Sequence, residues 1–165
     1  MDTLSHGLWG GVMYGRKNRK SFWLAFVLGI LPDMLSFGIF TFARIFAIEG
    51  SAGFGKPELG DIPQYIHTLY DITHSFVTFA VVFALCWIIF KKPIWELFAW
   101  AFHIFLDMFT HSTEFFPTPY LWPFAHTRID GVPWSSPIIF FTNVFFLVLI
   151  YAVYWYKKLK YKNAD

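Results

Sequence analysis

The sequence is short of charge and has almost no cysteine. Only 15% of its 165 residues are Asp, Glu, Lys or Arg, against about 25% in an ordinary soluble domain, and that class is excluded. The net charge of +2 is too small for a nucleic-acid surface, so no nucleic-acid partner is expected. The one cysteine, Cys86, lies in the apolar run Val81 to Phe90. A lone thiol closes no internal disulfide, and it is given no role. The first residues, Met1-Asp2-Thr3-Leu4-Ser5-His6, have neither the basic start nor the small-residue cleavage site of a secretory signal, so no processing is expected. There is no internal repeat and no coiled-coil heptad. What abounds is apolar and aromatic: 56% of residues are hydrophobic, with 22 phenylalanines and eight tryptophans. The length fits one domain, residues 1–165.

Apolar segments alternate with short polar ones. Segment one runs from about Thr3 to Tyr14, and segment two from Ser21 to about Ile48, interrupted at Leu31-Pro32-Asp33, where proline removes a backbone donor. A Gly-rich loop, Glu49 to about Tyr65, follows; segment three then runs from about Asp71 to Phe90 and segment four from Ile94 to about Thr110. A Pro-rich loop, His111 to Ser136, leads to segment five, Pro137 to Tyr156. The expected fold is all-α: a polytopic membrane bundle of about four spans plus a half-inserted N-terminal helix, too short to cross, with Met1 pointing into the protein. Three basic clusters, Arg16 to Lys20, Lys91-Lys92 and Lys157 to Lys162, fall at alternate segment ends. By the positive-inside rule they are cytoplasmic, with the C-terminus, and the loops 49–65 and 111–136 face outward. The tryptophans, including Trp122, Trp134 and Trp155, suit lipid contact and the interfacial belt.

Ionisable residues inside such segments are costly and mark function. Here they are His6, Asp33, His74, His103 and Asp107. Counted at ~1.5 Å per helical residue from the nearest basic cluster, each lies roughly 15 to 26 Å away, in one layer of the outer half of the bilayer. Histidines buried for packing alone would have no reason to share a depth. His103 and Asp107 are four apart and share a helix face, which His111 continues if the helix extends by a turn. His126 and Asp130 repeat the spacing in the loop, as further ligands or as solvated side chains. Imidazole and carboxylate suit zinc, and a cation would neutralise aspartates held in low dielectric. Taken singly each has a plainer role: a membrane histidine bonding a neighbouring helix, Asp33 as a helix N-cap, Asp71 as the cap of segment three, His67 at the surface. The shared depth favours a metal for the set.

At these residues the chain resembles the LexA-regulated, inner-membrane metal-dependent hydrolase family. The matching pieces are Leu4-Ser5-His6-Gly7, Leu31-Pro32-Asp33, Ile72-Thr73-His74-Ser75, His103-Ile104-Phe105-Leu106-Asp107, Thr110-His111-Ser112 and Phe116-Pro117-Thr118-Pro119 leading into Trp122-Pro123-Phe124. The resemblance spans nearly the whole chain and implies a bacterial inner-membrane location and a metal-dependent hydrolase. More distantly, the order of ligands is similar to that of the zinc-dependent phospholipase C and single-strand nuclease superfamily, helical trinuclear phosphodiesterases. That resemblance implies His6, Asp33, His74, His103, Asp107, His111, His126 and Asp130 as ligands of one to three zinc ions. The chain departs from the superfamily in two ways. The superfamily ligates zinc through the amino end of a processed tryptophan, where this chain has Met1-Asp2, and the gap from Asp107 to His111 is shorter.

The expected chemistry is hydrolysis of a phosphoester, lipid-linked and phospholipase C-like, by a water that zinc activates. His74, Asp33, His103 and Asp107 form the core, Asp107 bridges toward a second ion, and Arg128 pairs with a phosphate or else anchors its loop to lipid headgroups. The bilayer is the expected partner, and its outer leaflet brings the substrate. The rival classes are a metal transporter or sensor, and a structural protein with a coordinatively closed zinc. The scarcity of ionisable residues in the inner half of the spans, Glu96 near Lys92 excepted, favours a one-sided site over a conduit.

Overall fold

The first helix starts from Asp2, whose carboxylate accepts from the Ser5 amide (2.9 Å) and hydroxyl (2.6 Å) and caps helix α1, Thr3–Tyr14. Asn18 caps α2, Arg19–Asp33, through the Ser21 amide at 2.9 Å. These positions come from a computed structural model that describes residues 1–46 and 57–162. The expected interruption at Leu31-Pro32-Asp33 does not end the helix. Pro32 lies inside α2, and a π-helical turn, Met34–Gly38, carries the chain into α3, Ile39–Ile45. The wider turn accommodates the missing donor, and Ser36 Oγ donates to the Pro32 carbonyl at 2.9 Å. Asp33 caps nothing there. The end of segment two beyond Phe46, and most of the Gly-rich loop, lie outside the described residues.

Segment three is two helices rather than one. Helix α4, Gln64–Thr73, stops at His74; Ser75 accepts from the Val77 amide (3.1 Å) and starts α5, Phe76–Phe90, at a bend of 60°. Asp71 is therefore in the last turn of α4 and not a cap. Helix α6, Phe98–Thr110, is entered through a 3-10 turn, Trp95–Leu97. Helix α7, Pro137–Lys162, closes the described chain. Among the described residues all regular structure is helical, as expected, but fewer helices can cross a bilayer than the expected four. Arg19–Ile45 and Pro137–Lys157 are long and apolar enough, and the bent pair α4–α5 makes a third if it is one span. At ~1.5 Å per residue, α6 reaches roughly 20 Å, short of the ~30 Å apolar core.

Helix α1 packs on α2 and α6, and its small residues make the approach close. A Cβ on Gly29 of α2 would stand 2.6 Å from the His6 carbonyl. Two apolar clusters flank this centre. Phe40, Ile62, Ile66, Tyr70 and Phe116 pack under the long loop, and Phe79, Leu97, Trp100 and Ile104 join α5 to α6. Large apolar side chains such as Ile89, Phe141 and Val148 face outward (68%, 68% and 64% exposed), as lipid contact requires.

Helix α7 is tied to α1 by polar bonds within its apolar length. Trp9 Nε1 donates to Asn143 Oδ1, Asn143 Nδ2 donates to Ser5 Oγ, and Tyr151 Oη donates to the Leu8 carbonyl, each at 2.8 Å. Such interhelical bonds contribute about 0.6 to 2 kcal/mol each in membranes. Asn143→Leu removes two of them, and the thermal midpoint in detergent should fall by several degrees. An unchanged midpoint would show that apolar contacts alone hold α7.

Candidate metal centre

The break between α4 and α5 aims His74 inward. Its ring stacks on Tyr70 at 3.8 Å, and its Nδ1 lies 2.9 Å from Thr73 Oγ1 and 3.2 Å from the Tyr70 carbonyl. Because Thr73 Oγ1 donates to the Leu69 carbonyl (2.9 Å), it accepts from His74, and the proton of a neutral His74 sits on Nδ1. On α6, His103 Nδ1 is 2.7 Å from the Gly29 carbonyl, an acceptor only, so its proton also sits on Nδ1. Both Nε2 atoms are then bare lone pairs, and they face each other at 3.1 Å. Asp33 Oδ1 stands 3.5 Å from one and 3.6 Å from the other; Asp107 Oδ2 stands at 3.7 and 3.2 Å. These four ligand atoms all lie within 4.8 Å of one another. Lone pairs and carboxylates gathered so closely repel unless a proton or a metal cation lies among them, and backbone carbonyls that fix the tautomer commonly support a histidine metal ligand.

The other oxygen of Asp107 faces a second group. Oδ1 is 2.9 Å from His6 Nε2 and 3.5 Å from His111 Nε2, and it contacts the amino group of Met1. That amino group is itself 3.3 Å from His111 Nε2. His111 Nδ1 donates to the Phe116 carbonyl at 3.0 Å, which turns its Nε2 lone pair inward. His6 and His103 stack at 3.6 Å. Two buried atoms of the cluster, His6 Nδ1 and Asp107 Oδ2, have no hydrogen-bond partner. The buried Asp107 carboxylate thus stands between two sets of nitrogen ligands.

His6, Asp33, His74, His103, Asp107 and His111 come together; three other residues singled out in the sequence do not. His126 is exposed and touches none of the cluster. Asp130 is also at the surface, where it accepts from the Thr113 amide (2.8 Å) and hydroxyl (2.9 Å), bonds that hold its carboxyl below the usual range. Arg128 donates to the Pro117 carbonyl and reaches Asp71 at 3.4 Å, so it braces the loop against α4. The repeated His-x-x-x-Asp spacing fails here because it lies in a loop, where a four-residue interval sets no common face. Replacing His126 and Asp130 together by alanine should leave the metal content of purified protein unchanged; a loss of bound metal would bring them back as ligands.

A family model described as YdjM inner membrane protein matches residues 1–164. The chain belongs to this YdjM family. Its members are inner-membrane proteins, in accord with the helices long and apolar enough to cross. No curated protein and no solved structure matches the chain significantly.

In this YdjM-family chain several supporting groups had no part in the sequence reading. Tyr70 backs the His74 ring, the Gly29 carbonyl orients His103, and the Phe116 carbonyl orients His111; Met1, expected to point into the protein, is buried, and its amino group joins the second set. Trp100 Nε1 donates to the Thr73 carbonyl at 2.7 Å and fixes the end of α4. Backbone carbonyls leave no mark in a sequence. The run Gly7, Gly10, Gly11 on α1 opposite Gly29 was a readable sign that two backbones approach closely. His67 is half-exposed at the surface, where its ring stacks on Phe116 at 4.5 Å.

Proposed function

We propose that this YdjM-family chain is a membrane-embedded zinc-dependent hydrolase that cleaves lipid-linked phosphoesters in the manner of a phospholipase C. The observation that supports it most is the facing pair of His74 and His103 Nε2 lone pairs, 3.1 Å apart, with one oxygen each of Asp33 and Asp107. Two carboxylates and two neutral imidazoles balance one divalent cation, which lets buried charge persist in low dielectric. Asp107 Oδ1, His6 and His111 would hold a second ion. Among the described residues none remains nearby for a third, since His126 and Asp130 lie apart. Zinc would supply Lewis acidity toward water and a phosphoryl oxygen, and paired ions suit in-line displacement at phosphorus.

The chain's own residues set access and orientation. The side chains of His6, His74, His103 and Asp107 are fully buried, while Asp33 is 13% and His111 12% exposed. Leu4, Met34 and Leu35, neighbours of Thr3 and Asp33 in sequence, are exposed apolar side chains, and Thr3 Oγ1 donates to Asp33 Oδ2 at 2.7 Å. An apolar rim beside a polar edge favours a substrate that arrives from the lipid phase. Arg128, tied to Asp71 and Pro117, is given the role of holding the loop rather than a phosphate.

Metal analysis of the purified protein is expected to find one or two zinc per chain. Metal-loaded protein should release a phosphorylated headgroup from phospholipid vesicles or phosphate from a lipid phosphate, and chelation should abolish the release. Zinc-loaded protein that cleaves neither class of lipid would exclude this substrate. Zinc flux into sealed liposomes would instead support the transporter reading.

A further inference from the structure

At the end of the molecule that carries the basic clusters, a cavity of about 850 Å³ opens between α7 and the corner joining α1 to α2. Among the described residues its lining holds Arg16, Lys17, Arg19 and Lys157 and no carboxylate. Lys17, Arg19 and Lys157 are exposed and have no ion-pair partner among the described residues. Its apolar walls include Phe22, Trp23, Ile150, Val153 and Trp155. Trp23 and Trp155 are each 52% exposed, and tryptophan in that setting belongs at the headgroup level of a bilayer. The ties of α7 to α1 run through Asn143 and Tyr151. The cavity begins at Tyr151 and extends toward the basic end, where the helix stands beside the α1–α2 corner with space between them.

A cationic rim without acids, above an aromatic and aliphatic slot at membrane-interface level, is complementary to one class of molecule. We propose that this groove is a binding site for an anionic glycerophospholipid. The phosphate would sit among Arg16, Lys17, Arg19 and Lys157, and an acyl chain would lie along Phe22, Val153 and Trp155. A zwitterionic lipid fits less well, because its ammonium meets only like charge. The lipid would wedge α7 against α1 on the side opposite the proposed zinc centre, and its binding does not depend on that reading. Orienting charge alone, spread over the basic clusters, would need no cavity and would make no distinction between this groove and Lys91-Lys92.

The test uses full-length protein in detergent with dioleoyl phosphatidylglycerol or dioleoyl phosphatidylcholine as the probe. Retained lipid is counted by native mass spectrometry. The phosphatidylglycerol should be retained in preference to the phosphatidylcholine. The preference should fall by roughly fivefold for each groove cation replaced by glutamine, and Lys91→Gln with Lys92→Gln should leave it intact. Equal retention of the two lipids, or an equal loss from the Lys91 and Lys92 replacements, would overturn the site. Removing basic residues can disturb insertion, so a second variant keeps every charge and fills the slot. Val153→Trp should abolish the preference while zinc content stays as in the parent; a preference that survives Val153→Trp also overturns the proposal.

Discussion

Asp107→Asn is expected to abolish metal binding at the candidate centre and, with it, the proposed hydrolysis. Asp107 alone offers one oxygen to each ligand set, Oδ2 toward His74 and His103 and Oδ1 toward His6 and His111. Asparagine keeps the shape but removes the charge, and it sets a donor toward one of the two sets, each of which needs an acceptor. Loss of a second-shell partner alone typically costs 10- to 100-fold in metal affinity, so loss of a shared ligand should cost at least about 100-fold. Bound metal also stabilises the fold, by about 4 kcal/mol at a thousandfold excess over its dissociation constant. The variant should therefore melt like chelated parent protein and no longer respond to added zinc. Asp33→Asn, which touches only the first set, should lower zinc content by no more than one ion per chain. The measurements are zinc content by elemental analysis, affinity by competition with a chromophoric chelator, and thermal unfolding with and without zinc. Parent-like affinity in Asp107→Asn would show that the carboxylate is held by histidine and amine bonds alone, and a bridging role would be lost.

The centre was legible in the sequence because the bilayer makes polar residues conspicuous. An aspartate or histidine in an apolar segment must answer to a partner, and helical rise bounds its depth to within about two turns. His6, Asp33, His74, His103 and Asp107 met at one level for that reason. Breaks within the apolar segments were hard to place. Hydrophobic periodicity carries no information where every face is apolar, so the π-helical turn after Pro32 had no signature beyond the proline itself, whereas the bend at His74–Ser75 had one in Ser75, the residue that caps α5. The number of spans was overcounted for the same cause, since apolar length was read without knowing where helices stop. His111 shows how the right residue can arrive by another route. The helix ends at Thr110, His111 is extended (φ −119°, ψ 134°), and its ring is turned inward by the Phe116 carbonyl rather than by a further helical turn. Asp130 was misplaced because its partner, Thr113, is a loop residue set by tertiary contacts: Gly131 and Val132 donate to the His111 and Phe109 carbonyls at 2.9 and 3.0 Å.

Gly29→Ala should damage the fold and the candidate metal centre together. The added carbon would lie 2.6 Å from the His6 carbonyl oxygen, 3.2 Å from its carbon and 3.3 Å from Gly7 Cα, all of them backbone. No rotamer relieves a clash between two main chains, so α1 must slide or tilt away from α2. Overpacking of this kind costs about 1 to 3 kcal/mol where the surroundings yield. Here yielding has a further consequence, because the same contact positions ligands on both sides. A shift of α1 carries His6 away from Asp107 Oδ1, now 2.9 Å distant, and movement of Gly29 displaces the carbonyl that sets the His103 tautomer at 2.7 Å. Zinc content should therefore drop together with the thermal midpoint, and excess zinc should restore part of both. Gly60→Ala serves as the comparison: nothing lies within 4 Å of its added carbon, so neither quantity should change. If Gly29→Ala lowers the midpoint but binds zinc with parent affinity, the α1–α2 contact supports the fold without aligning the metal ligands, and His6 would then have to be held by Asp107 and the His103 ring alone.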